Sequence, residues 1–186
     1  MTASGQTVDD ANMSQERLFL LMRHAMTDWN ERGLIMGQTD VPLSNRGFKQ
    51  IKDALELLEH FEIDALYSSS MRRCLQTAEI LADALGLSVI AVDDFKERSW
   101  GIFEGRHRSE RDPNEDPPGG ETYKQFENRV VQAFRAIAGL TQKPLLVTHS
   151  GVIRIALQME GGHARDARIP HVSPIKVRAS TTKWVT

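Results

Sequence analysis

Residues 18–22, LFLLM, form an unbroken apolar run with no polar residue alternating in it. This run constrains the fold more than any other feature, because such a strand must be covered on both faces, as parallel strands between two helical layers are. The rest of the chain supplies the layers. Residues 44–60 place Phe48, Ile51, Leu55 and Leu58 on one helical face behind a Ser44 N-cap. Residues 71–85 repeat the period through Cys74, Leu75, Ala78, Leu81 and Ala82 and close at Gly86. Thr122, with Gln125 three residues on, is a capping box for a helix through Phe126, Val130, Phe134 and Ile137 that ends near Gly139. Further strands are expected at 65–67, 88–92 and 145–148, a short helix from Val152, and an edge strand over 175–177. Strands alternating with helices define an α/β class, a single domain with a mostly parallel central sheet flanked by helices on both faces.

The 186 residues, 40% hydrophobic, suffice for one core. A formal net charge of −2 argues against nucleic acid or a membrane surface as partner. No apolar run approaches the roughly 20 residues of a membrane helix. The single cysteine, Cys74, forms no internal disulfide and falls on an apolar helix face, so it is expected in the core and the chain in the cytoplasm. Residues 1–16 are polar, without a signal-peptide pattern, and are expected to be a disordered leader ahead of a domain at 17–186. Residues 105–120 lack any period and read as a long polar loop.

Two strands end alike: LFLLM runs into Arg23 and His24, and LLVT into His149, Ser150 and Gly151. Ligands of open α/β sheets bind beyond the carboxyl ends of the strands, so the two histidines are expected to share a cleft. Between them SSSMRRCLQTAE puts three serines before a helix that opens with Arg72 and Arg73, which together make an anion site. Imidazoles among arginines suit phosphoryl transfer: nearby positive charge disfavours protonation and leaves a ring nitrogen free to attack, while guanidinium groups stabilise the spreading charge. Helical spacing leaves both arginines at the margin of the apolar face and does not choose between them. His60, His107, His163 and His171 lie in or beside polar segments and read as surface residues. His24 and Asp28 have i, i+4 spacing but no compact third ligand, THSGV lacks the first glycine of a nucleophile elbow, and no nucleotide-binding glycine motif is present.

In order, these pieces resemble the histidine phosphatase superfamily, the phosphoglycerate mutase-like family. LMRHAMTDWN is similar to its first motif, GQTDVPLSNRG to the next, YSSSMRRCLQTAE to the segment of the second phosphate arginine, FKERSWGIFEG to that of the proton donor, PGGETYKQFENRV to the opening of the following helix, and LLVTHSGVIR to the motif of the second histidine. The resemblance implies His24 as the phosphorylated residue, Glu97 as proton donor, and Arg23, Asn30, Arg73 and His149 as the phosphate pocket; Glu104 is the next candidate should the donor not be Glu97. The resemblance thus selects Arg73 over Arg72. Two positions depart from the family pattern, Ala25 and Ser150 standing where glycine is usual or frequent; the added methyl of Ala25 is expected to narrow the pocket.

The resemblance implies a metal-independent phosphomonoester hydrolase with no cofactor, acting through a phosphohistidine on small phosphorylated metabolites. The alternatives are a cofactor-dependent phosphoglycerate mutase-type phosphotransferase and a non-catalytic phospho-ligand-binding module. The short 105–120 cap favours hydrolysis, since a mutase must enclose its intermediate. The partner expected is a small-molecule phosphomonoester, and the sequence does not distinguish a monomer from a homodimer.

Overall fold

The computed structural model describes residues 17–112, 115–141, 143–164 and 167–179. Five strands form one sheet: β1 (Arg17–Arg23), β2 (Ala65–Ser69), β3 (Val89–Val92), β4 (Pro144–Thr148) and β5 (Pro174–Ala179), in the order β3-β2-β4-β1-β5. Pairing is parallel except at the edge, where β5 runs antiparallel to β1. The expected α/β class is therefore observed. The expected leader, residues 1–16, lies outside the described residues.

The helices are α1 (Asp28–Glu31), α2 (Asn45–Leu58), α3 (Arg72–Leu85), α4 (Tyr123–Ala138) and α5 (Ser150–Glu160). Helices α2 and α3 cover one sheet face, where Leu20, Met22, Leu66, Leu145 and Val147 meet Ile51, Leu58, Ala78 and Leu81. On the other face Phe19, Leu21, Tyr67 and Leu146 meet Phe126, Phe134, Val152 and Ile155 from α4 and α5. Successive residues of β1 enter opposite cores, which is why LFLLM has no polar member.

Caps fall where side chains satisfy the free N–H groups. Ser44 accepts from the Gly47 N–H, Thr122 and Gln125 form a reciprocal capping box, and Gly86 ends α3 in the left-handed region. Two expectations shift. Phe48 stays 39% exposed because the buried stripe of α2 is Gly47, Ile51, Ala54 and Leu58, which keeps Ile51 and Leu58 of the expected face and takes Gly47 and Ala54 in place of Phe48 and Leu55. Helix α5 begins at Ser150, directly after β4, so its N-terminus faces the same sheet end as the two histidines. Among its described residues the 105–120 connection contains one short 3₁₀ turn, Arg108–Glu110, capped by the His107 ring.

Candidate active site

Strands β1 and β4 are adjacent and parallel, in register to Arg23 opposite Thr148, and the His24 N–H donates to the Thr148 carbonyl at 2.9 Å. The next residues of the two strands, His24 and His149, therefore leave the sheet side by side, with ring centroids 5.4 Å apart at 62°. Both are buried.

The tautomer of His24 follows from its neighbour. Nδ1 lies 2.7 Å from the Ala25 carbonyl, which only accepts, so Nδ1 carries the hydrogen and Nε2 keeps a lone pair. Burial, then Arg73, His149 and Arg23, holds the imidazole neutral well below the ordinary histidine range. His149 is held neutral in the same way, by burial and then Arg73. Its Nδ1 accepts from an Arg73 Nη2–H at 3.2 Å, which leaves Nε2–H to donate to Ser69 Oγ at 2.9 Å. A phosphate bound by His149 must replace one of these partners.

Arg73 has no exposed surface. Its Nη1 donates to the Thr39 carbonyl at 3.1 Å and its Nη2 to the Gly37 carbonyl at 2.8 Å. Arg72, one residue earlier, is exposed, and its backbone N–H donates to Asp40 at 2.7 Å. Arg23 donates from Nη1 to the Ile169 carbonyl at 2.9 Å; burial lowers its pKa to about 10, still charged at neutral pH. The Nε–H groups of Arg23 and Arg73 are both buried without an acceptor, and such orphans normally have an ion or water as partner. Asn30 turns its Oδ1 to the Thr27 N–H at 3.1 Å, which leaves its amide N–H groups for the cleft it lines.

Glu97 sits against the N-terminus of α5, where its carboxylate accepts from the Gly151 N–H at 3.1 Å and from the Arg98 N–H at 3.0 Å. A Cβ on Gly151 would lie 2.1 Å from Glu97 Oε1, so glycine is required for this approach. Arg129 secures the segment by donating to the Asp94 and Lys96 carbonyls at 2.7 and 3.1 Å and pairing with Glu121 at 2.8 Å. Glu104 is differently occupied: its carboxylate accepts from the Gln38 and Trp100 N–H groups and the Thr39 hydroxyl, at 3.0, 2.9 and 2.5 Å. It binds loops together and is not among the cleft-lining residues, whereas Glu97 is.

The cleft, about 200 Å³, brings together His24, Arg23, Asn30, Arg73, Glu97 and His149, all six expected site residues. Ala25 corrects one expectation. It is buried in the core beside Leu43 and Ala54 and does not line the cleft, and its φ is not positive, so its methyl neither narrows the pocket nor strains the chain. Ser150 does line the cleft, at the start of α5. Cys74 is a core residue as expected, its thiol pushed up to about 12 by burial.

His171 is not the surface residue expected from its polar neighbours. Its Nδ1–H donates to the His24 carbonyl at 2.7 Å and its ring stands 5.5 Å from that of His24. The turn that delivers it includes Val172 at φ 45°, a strained conformation for a β-branched residue, with the Val172 N–H on the Arg23 carbonyl at 2.9 Å. Burial and Arg23 lower the His171 pKa to about 4. Arg108, Arg111, Arg154 and Trp100 also line the cleft. Arg154 and Trp100 had no signal of their own, since one sits on a helix and the other beside the Glu97 segment. His60, His107 and His163 are exposed, as expected.

Three histidines held neutral at one site have a consequence for stability. The unfolded chain binds protons on them from about pH 6.5 downward, while the folded chain resists until much lower pH. Stability is therefore greatest above that value and falls on acidification, each histidine contributing up to about 1.4 kcal/mol per pH unit. Urea unfolding at pH 7, 6 and 5 should show this fall, and His171→Asn, which keeps a donor for the His24 carbonyl, should reduce the slope by about a third. A stability unchanged from pH 7 to 5 would mean that these rings are protonated in the folded chain.

Residues 19–185 match the histidine phosphatase superfamily, branch 1, and the chain belongs to that family of phosphoryl-transfer enzymes. It is 31% identical over 172 residues to "Uncharacterized phosphatase PhoE" of Bacillus subtilis, covering 88% of this chain and 89% of that one. It is 28% identical over 185 residues to "Probable phosphoglycerate mutase GpmB" of Shigella boydii, covering 89% and 86% respectively. The structure of a mycobacterial glucosyl-3-phosphoglycerate phosphatase complexed with VO3 superposes with a TM-score of 0.77 at 22% identity, over 86% of this chain and 92% of the other, a likeness of fold. Among the described residues no helix is long and apolar enough to cross a membrane, and no three His, Cys, Asp or Glu residues are grouped to hold a metal ion.

Proposed function

We propose that the protein hydrolyses small phosphomonoesters through a phosphohistidine at His24, with arginines rather than a metal ion supplying the positive charge. The observation that carries this reading is the His24 imidazole, held neutral with Nε2 free, in one cleft with Arg23, Arg73 and Glu97. Nε2 attacks phosphorus in line as the bond to the ester oxygen breaks, and the Glu97 carboxyl gives a proton to the departing alkoxide. Water then attacks the phosphohistidine, losing a proton to the Glu97 carboxylate, and Nε2 and inorganic phosphate are released. Arg23, Arg73 and the Asn30 amide hold the phosphoryl oxygens through both steps.

A cleft of about 200 Å³ is smaller than the roughly 300–1,000 Å³ of sites that enclose drug-sized ligands, which supports a small substrate. Residues 105–110 are exposed, with Arg108 alone of them lining the cleft, and an open site favours transfer to water over retention of the phosphoryl group. Phosphate release from a panel of alkyl phosphomonoesters, measured in EDTA, tests the reading. Turnover that required a bisphosphorylated primer would replace it with a mutase.

The same assay tests Glu97. General acid catalysis contributes about 10²- to 10⁴-fold and matters least when the leaving group departs easily. Glu97→Gln should therefore slow alkyl phosphates by about 10²-fold or more and p-nitrophenyl phosphate by far less. Equal losses on both would assign the proton to another group.

A further inference from the structure

Residues 167–172 line no part of the cleft, yet three cleft residues are fastened to them. Arg154 donates to the Ala167 carbonyl from Nε at 3.1 Å and Nη2 at 3.0 Å, and Arg23 donates to the Ile169 carbonyl at 2.9 Å. His24 is met twice by His171, at its carbonyl and at its ring. The segment crosses the end of β1 from one core to the other, since Ile169 is buried in the layer of Phe19 and Leu21 and Val172 in that of Leu20 and Met22. Val172 completes the crossing at φ 45°, and among the described residues no other non-glycine residue has a positive φ. A β-branched residue keeps such a conformation only where its surroundings over-determine it, which they do here through the buried Val172 side chain and its N–H on the Arg23 carbonyl.

The segment bears most directly on the peptide that follows His24. The carbonyl of this His24–Ala25 peptide accepts the His171 Nδ1–H at 2.7 Å, and its N–H donates to Thr77 Oγ1 at 3.1 Å. That hydroxyl is itself committed to the Arg73 carbonyl at 2.7 Å. Two side chains, one from α3 and one from the connection into β5, thus grip the same peptide plane. Fixing the plane fixes ψ of His24, and with it the place of the Ala25 carbonyl that takes the His24 Nδ1–H and leaves Nε2 for the cleft. A neutral imidazole has one N–H, so His171 serves this purpose only with its hydrogen on Nδ1.

We propose that His171 is a positioning residue, which aims the His24 ring for in-line attack by holding the His24–Ala25 peptide through its Nδ1–H. It touches no substrate. The proposal rests on the phosphatase reading above, whose nucleophile it orients.

The wild type, His171→Ala, His171→Asn and His171→Gln, compared on propyl phosphate in EDTA, test it. Asparagine carries its amide nitrogen on Cγ, where histidine carries Nδ1, whereas glutamine carries it one bond farther out. A misplacement of about 1 Å can cost 10²-fold, so alanine and glutamine should each lower kcat, and the rapid-quench rate of phosphoryl transfer to the protein, by about 10- to 10²-fold. Asparagine should recover most of that loss. KM and the inhibition constant of inorganic phosphate should move by less than about threefold in all the variants, because the phosphate-binding groups remain. Asparagine and glutamine equally impaired, or a loss confined to KM, would overturn the positioning role. Nitrogen NMR of labelled histidines in the wild type decides the matter even if a variant fails to fold: His24 and His171 should both carry their hydrogen on Nδ1 at neutral pH, and a His171 protonated on Nε2 instead would have nothing to donate and would overturn the proposal. Failure of the wild type to hydrolyse any alkyl phosphomonoester would overturn the phosphatase reading itself, a result distinct from either of these.

Discussion

His24→Ala should abolish phosphoenzyme formation and lower turnover by on the order of 10⁴-fold or more, as removal of a covalent nucleophile does elsewhere. The fold should survive. The backbone of residue 24 keeps its bonds, N–H to the Thr148 carbonyl at 2.9 Å and carbonyl to His171 at 2.7 Å, and the side chain gives up one hydrogen bond, to the Ala25 carbonyl. What disappears is the Nε2 lone pair. Arg23, Arg73 and Asn30 remain to bind phosphate, so the variant should still bind substrate while failing to react with it. Rapid quenching with substrate labelled in the phosphoryl group should give an acid-labile, alkali-stable adduct in the wild type, as expected for a phosphorus–nitrogen bond, and none in the variant. Stoichiometric label retained by His24→Ala would move the nucleophile to another residue.

The elements were legible because their signals are local. The run LFLLM, the capping box at Thr122 and Gln125 and the left-handed Gly86 each declare their structure within a few residues, and each is where the sequence puts it. The pairing of His24 with His149 was legible one level up, since parallel strands end at the same side of a sheet. What sequence could not supply is what depends on strand order and packing. His171 reaches His24 because β5 returns antiparallel beside β1, and nothing near residue 171 encodes that return. Glu97 was expected through family resemblance alone; its position depends on the α5 N-terminus and on Gly151, more than 50 residues later in the chain. Phe48 failed for a smaller reason: several residues of α2 are apolar, and packing against the sheet rather than periodicity decided which of them turned inward.

Arg73→Lys should lose about 10²-fold or more in kcat/KM, and Arg72→Lys less than about threefold. Spacing alone did not separate these neighbours, which project about 100° apart on a helix, and burial now does. Arg73 is wholly buried and spreads its donors over the Gly37 and Thr39 carbonyls and His149, a planar fork that one ammonium cannot reproduce. Lysine at 73 would leave at least one of these acceptors unpaired, as well as a compact, strongly hydrated charge at a fully buried position. Its pocket also loses the ring contact that holds His149 in one tautomer, so the loss should appear in kcat as well as KM. Arg72 is exposed and contributes its backbone N–H to Asp40, a bond any residue but proline retains. Both variants measured on one alkyl phosphate give the comparison, with thermal unfolding to separate lost chemistry from lost fold. A larger loss at Arg72 would mean that the exposed guanidinium swings into the cleft to meet the phosphate, and the buried one would then be a structural brace between α3 and the 37–39 loop.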